Sequence, residues 1–130
     1  MLGVDLAYMG TRFIATRESQ ALDEYKQLLL RAHAADIVHT AAVSGVPASF
    51  LRQSLEQAGF AEARLSGKGD MNYGEKLKPV NDEAKAWKTV WSAGQGVGGI
   101  SDLPSAEMLI ARLDAQYQAA RNSAAALGSR

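Results

Sequence analysis

Apolar and polar positions change their period several times along this chain of 130 residues. Val4 to Met9 run almost without charge, Asp5 excepted, and stop at Gly10-Thr11. A short apolar run of this kind predicts a strand buried on both faces, the type found in parallel sheets. Leu22, Tyr25, Leu28, Leu29 and Ala32 then fall at helical spacing and predict a helix from about Gln20 to Ala34, with Ser19 as its N-cap. Asp23 and Glu24 in its first turn and Arg31 in its last suit the helix dipole. Asp36 to Val43 is rich in β-branched residues and ends at Ser44-Gly45, which predicts a second strand. Pro47 is placed to open a helix through Leu51 and Leu55, with Gly59 as its stop.

Regularity is lowest from Ala61 to Lys78, which reads as loop. Ala84, Trp87 and Trp91 restore helical spacing over Glu83 to Trp91. A glycine-rich loop follows from Ala93 to Gly99. The last helix is expected to start near Asp102, with Pro104 in its first turn and an apolar face of Ala106, Leu109, Ile110, Leu113, Tyr117 and Ala120. The alanine-rich tail from Arg121 is expected to fray. The resulting class is α/β, one domain in size. A lone doubly buried strand has neither edge partners nor covered faces. The pattern therefore resembles the end of a larger α/β protein.

Charge narrows the class further. Fourteen Lys and Arg balance fourteen Asp and Glu. Nucleic-acid and membrane-surface partners, which call for a basic excess, are not expected. The chain has no cysteine, so disulfides, thiolate metal sites and cysteine nucleophiles are excluded. No apolar run approaches the roughly 20 residues of a membrane span, and the first residues lack a basic leader. A cytoplasmic protein is the expectation.

Two loops carry candidate chemistry. Gly10-Thr11 stands between a predicted strand and a helical stretch, where backbone N–H groups and a hydroxyl can meet an anion. An ordinary strand-ending turn is the competing reading. Arg12 beside it can add charge, but is expected to pin the loop instead. Gly94, Gly96 and Gly99 spell the letters of a dinucleotide fingerprint, with Asp114 downstream. The expected helix before them and the helical setting of Asp114 are the wrong context for it. The only histidines, His33 and His39, have no second ligand type at metal spacing, so no metal site is expected. The aromatics Tyr25, Phe50, Phe60, Trp87 and Trp91 read as core.

Four blocks together resemble the C-terminal part of the FMN-dependent nitronate monooxygenases, formerly 2-nitropropane dioxygenases. They are D-L-A-Y-M-G-T-R-F-I-A-T from Asp5, A-L-D-E-Y-K-Q from Ala21, M-N-Y-G from Met71 with K-A-W-K from Lys85, and W-S-A-G-Q-G-V-G from Trp91. Their order and spacing follow the family and cover nearly the whole chain. The resemblance implies the C-terminal portion of a TIM barrel, its last strand and helix within residues 1–34. An added, mostly helical segment over 35–103 and a C-terminal helix and tail over 104–130 would complete it. A complete barrel needs about 250 residues. The first seven strands, the catalytic histidine and most flavin contacts of the family have no counterpart here, so no catalytic residue is expected in this chain. The resemblance also implies that Tyr8, Met9, Gly10 and Thr11 help hold the FMN phosphate, and that Gly94, Gln95 and Gly96 form a loop toward the pocket. The implied reaction is oxidation of an alkyl nitronate by oxygen to a carbonyl compound and nitrite. A related flavin barrel that reduces enoyl thioesters is the nearest enzymatic alternative. A non-catalytic half-protein that needs a separate N-terminal barrel chain, or that self-associates, is the other.

Overall fold

Apolar stripes that recur at helical and extended spacing bury against one another in two small clusters. The computed structural model describes residues 6–43, 45–60 and 89–128. In chain order these form α1 (Thr11–Ile14), α2 (Asp23–Arg31), β1 (Ile37–Thr40), β2 (Ala48–Leu51), α3 (Arg52–Gln57) and α4 (Ala106–Gly128). Short 3-10 helices occupy Ala34–Asp36 and Gln95–Gly99. The class is α/β, with a two-stranded antiparallel sheet in which Ile37 faces Leu51 and Thr40 faces Ala48.

The larger cluster gathers Ala15, Leu28, Leu29, Ala32, Leu51, Ala93, Val97 and Ile100. It unites the stripe of α2 with β2 and the glycine-rich segment. Burying one leucine fully contributes roughly 1.5–3 kcal/mol, so this cluster is the main apolar support of the fold. The smaller cluster joins Val43, Phe50, Leu55 and Val90, with Phe60 packed against it. Ser54 is fully buried and stitches the two ends of this region together. Its hydroxyl donates to the Leu51 carbonyl at 2.8 Å and accepts from the Trp91 N–H at 3.0 Å. Lys26 is buried as well, and its ammonium donates to the Ser19 carbonyl at 2.8 Å.

Several expectations are corrected. Val4 and Asp5 lie outside the described residues, and Leu6 to Met9 form no strand. Leu6 is 88% and Tyr8 101% exposed. A doubly buried strand needs a neighbour on each edge and cover on each face, and no described residue supplies either. The helix expected from Gln20 begins only at Asp23. Ser19 accepts from the Ala21 N–H at 3.2 Å, which uses it in a turn ahead of the helix rather than as a cap. The helix expected to open at Pro47 begins at Arg52, because Ala48–Leu51 pairs with β1 on one side and with Trp91–Ala93 on the other. Leu51 N–H donates to the Trp91 carbonyl at 2.8 Å, and Ala93 N–H donates to the Ser49 carbonyl at 3.2 Å. Trp91 is therefore extended, and the expected helix over Glu83 to Trp91 fails at that end; 83–88 lie outside the described residues. The loop expected over 61–78 lies outside them too.

Gly59 does stop α3, with φ of +83°. The last helix starts after Ser105, whose hydroxyl accepts the Met108 N–H at 3.2 Å. Glu18 adds a second cap by accepting the Ala106 N–H at 3.0 Å, a carboxylate at the positive end of the helix dipole. The helix runs on through Arg121 to Gly128. Of the apolar face expected on α4, Leu109 is buried, while Ile110 and Tyr117 are each 57% exposed.

Candidate functional site

The chain leaves Met9 exposed and turns at Gly10, whose carbonyl accepts the N–H of Phe13 at 3.0 Å to begin α1. This turn meets the glycine-rich segment directly. The Gly94 N–H donates to Thr11 Oγ1 at 2.9 Å. Tyr8, Met9, Gly10, Thr11 and Arg12 form one wall of a cleft of about 460 Å³. Gly94, Gly96, Gly99, Ile100 and Ser101 line it further, and Leu109, Arg112, Leu113 and Gln116 of α4 complete it. That volume lies within the roughly 300–1,000 Å³ of small-molecule sites.

The structure therefore brings Tyr8, Met9, Gly10 and Thr11 together with Gly94 and Gly96. Gln95 does not line the cleft. A 3-10 helix repeats every three residues, so Gly96 and Gly99 share one face and Gln95 falls off it. Val97, fully buried, anchors the same turn in the core. An added Cβ on Gly10, Gly96 or Gly99 would meet nothing within 4 Å, so these glycines leave open space where a ligand can approach the backbone.

Sequence reasoning missed the ion cluster beside the cleft. Asp102 takes a bond from Arg12 at 2.6 Å and a bidentate pair from Arg112 at 3.0 and 2.7 Å. The hydrogen bond from Arg112 is the chief influence holding the Asp102 carboxyl below its ordinary range, and the charges of both guanidiniums act in the same sense. The same bond raises the pKa of Arg112. Arg12 also donates to the carbonyls of Ala15 at 3.3 Å and Asp102 at 3.1 Å, so it pins the loop, as the sequence led us to expect. Two guanidiniums against one carboxylate leave a net positive charge at this wall. No local sequence signal marks the cluster, since Arg12 and Asp102 stand 90 residues apart.

The remaining candidates are structural. His33 caps the Ala34–Asp36 turn, its N–H donating to Asp36 Oδ2 at 2.8 Å. His39 Nδ1 lies 3.2 Å from Ser49 Oγ across the β1–β2 pair. Tyr25 and Trp91 stack with centroids 5.1 Å apart, and the Tyr25 hydroxyl donates to the Ser92 carbonyl. Asp114 lies on α4 and accepts from Gln118 at 3.4 Å. The glycine segment follows an extended stretch antiparallel to β2, with a 3-10 turn after it. The dinucleotide fingerprint thus lacks its strand–turn–α-helix setting.

The nitronate monooxygenase family model matches residues 1–116. The chain belongs to that family. It is thereby a member of a flavin oxidoreductase family. Among solved structures, this nitronate monooxygenase-family chain is similar to FabK from Thermotoga maritima, with a TM-score of 0.57 and 21% identity over 88% of this chain and 37% of that one. A methionine-to-alanine mutant of the same FabK gives a TM-score of 0.56 and 21% identity over 88% of this chain and 35% of that one. The chain spans little more than a third of the length of those structures, and at this identity the likeness is one of fold. No curated protein matches it. Among the described residues, no helix is long and apolar enough to cross a membrane.

Proposed function

We propose that this chain is the part of an FMN-dependent nitronate monooxygenase that anchors the flavin phosphate. The observation that carries the proposal is the meeting of the Tyr8–Thr11 turn and the glycine segment across one cleft, held by the Gly94–Thr11 hydrogen bond. The residues present suit a phosphate. Thr11 Oγ1 already accepts from Gly94, so its own proton is available to donate to an anion. The open space at Gly10, Gly96 and Gly99 admits a group close to the backbone, and the adjoining ion cluster carries net positive charge. When bound, FMN supplies the redox chemistry that converts an alkyl nitronate and oxygen to a carbonyl compound and nitrite. This chain binds and orients; the base and the contacts to the flavin ring belong, in this reading, to the remaining strands of a TIM barrel. The exposed Leu6, Tyr8 and Met9 are the surface that those strands would cover.

Titration of the purified chain with FMN, followed by flavin fluorescence, tests the proposal. Saturable binding that inorganic phosphate competes away supports it, and absence of binding overturns it. Once the chain is joined to the rest of a barrel, nitrite release from an alkyl nitronate supports the reaction named here. Turnover of an enoyl thioester instead would move the assignment to the related reductase.

A further inference from the structure

We infer that Arg112, on the last helix, is the residue by which this cleft selects a phosphorylated flavin over its unphosphorylated form. The inference rests on the flavin-phosphate reading above. Among the described residues, Arg12 and Arg112 are the charged side chains that line the cleft, and they stand in different situations. The Arg12 side chain is 16% exposed and spends its N–H groups on two carbonyls and on Asp102. Arg112 is 40% exposed, and both of its bonds go to a single carboxylate. A guanidinium has five N–H donors, so the bidentate grip fixes its plane and leaves three donors for another acceptor.

Its position on α4 adds to this. Leu109 is 1% exposed and seats the first turns of the helix in the core. Arg112 follows three residues later and Leu113 four, so both sit on the turn next to that fixed point. Two guanidiniums share the single Asp102 carboxylate, so one positive charge is left over at this wall, and Arg112 is the more exposed of the two. A phosphate held between Thr11 and Arg112 would meet a hydroxyl on one wall and a guanidinium on the other.

The test compares FMN with riboflavin on the full chain, for the parent, Arg112→Gln and Arg112→Lys. The parent should bind FMN more tightly than riboflavin. Arg112→Gln should weaken FMN about tenfold or more, the scale of a hydrogen bond to a charged group, and leave riboflavin unchanged. Arg112→Lys, which keeps the charge without the fork, should recover part of the loss. Riboflavin affinity reports whether the cleft is intact in each variant. If the parent binds the two flavins equally, or binds neither, the flavin-phosphate reading fails and the inference with it. If the parent discriminates but Arg112→Gln keeps the same ratio, or weakens both flavins alike, the inference alone is overturned.

Discussion

The Gly94 N–H donates to Thr11 Oγ1 at 2.9 Å, joining two segments 83 residues apart at the floor of one cleft. The bond sets the direction in which the threonine can act. A hydroxyl that accepts from one side has its proton free for the other.

Thr11→Ala removes both the acceptor for Gly94 and the donor to an anion. FMN affinity should fall about tenfold or more. Gly10→Val should fold normally, because φ at Gly10 is −98° and an added Cβ meets nothing within 4 Å. The branched side chain would occupy the approach to the backbone, so FMN binding should fall further than in Thr11→Ala. Gln95→Ala, at a residue that does not line the cleft, should leave it nearly unchanged. Fluorescence titration of the three variants checks the order.

Acid stability should depend on Asp102. Its folded pKa is lowered, first by the hydrogen bond from Arg112. The contribution is therefore present above the ordinary aspartate value of about 3.9 and is lost as pH falls through the folded pKa. Asp102→Asn should unfold at lower denaturant concentration than the parent at neutral pH. Urea melts repeated from pH 7 downward should show the two proteins converging below about pH 3.9. A constant gap across that range would contradict the linkage.

Alkali acts through Tyr25. Burial is the chief cause that raises its pKa. Because this shift is upward, the sign is opposite to that at Asp102: the stability is present below the ordinary value of about 10 and is lost as pH rises through the folded pKa. Tyr25→Phe should cost about 1 kcal/mol at neutral pH, the net worth of one hydrogen bond. That deficit should shrink above pH 10, as judged by chemical denaturation.

The exposed apolar side chains predict self-association of the chain alone. Leu6 and Leu127 are 88% and 74% exposed, and Met108, Ile110 and Tyr117 are each more than half exposed. Such patches draw partners. Sedimentation velocity should show oligomers whose share grows with concentration, and a single monomeric species across the range would contradict this.

What the sequence made legible was local. The stripe of α2, the position of β1 and the stop at Gly59 all follow from spacing within a few residues. Ala48–Leu51 was misread because Pro47 also suits the start of a helix, whereas its extended form comes from neighbours on both sides, β1 and Trp91–Ala93. In the site, composition and resemblance pointed to the Gly10-Thr11 turn and to the glycine segment. The three-residue repeat that turns Gly96 and Gly99 to the cleft and Gln95 away from it is a property of the folded backbone. Asp102 and Arg112 carried no local mark at all. Their meaning lies in Arg12, which is brought to them by the packing of Ala15, Leu29 and Ile100 in one cluster.

Ser54 ties β2 to Trp91, and Phe60 packs in the same small cluster as Val90. One buried hydroxyl thus holds two stretches 37 residues apart in step, so the loss of that single oxygen would loosen both strands of the seam together rather than either one alone.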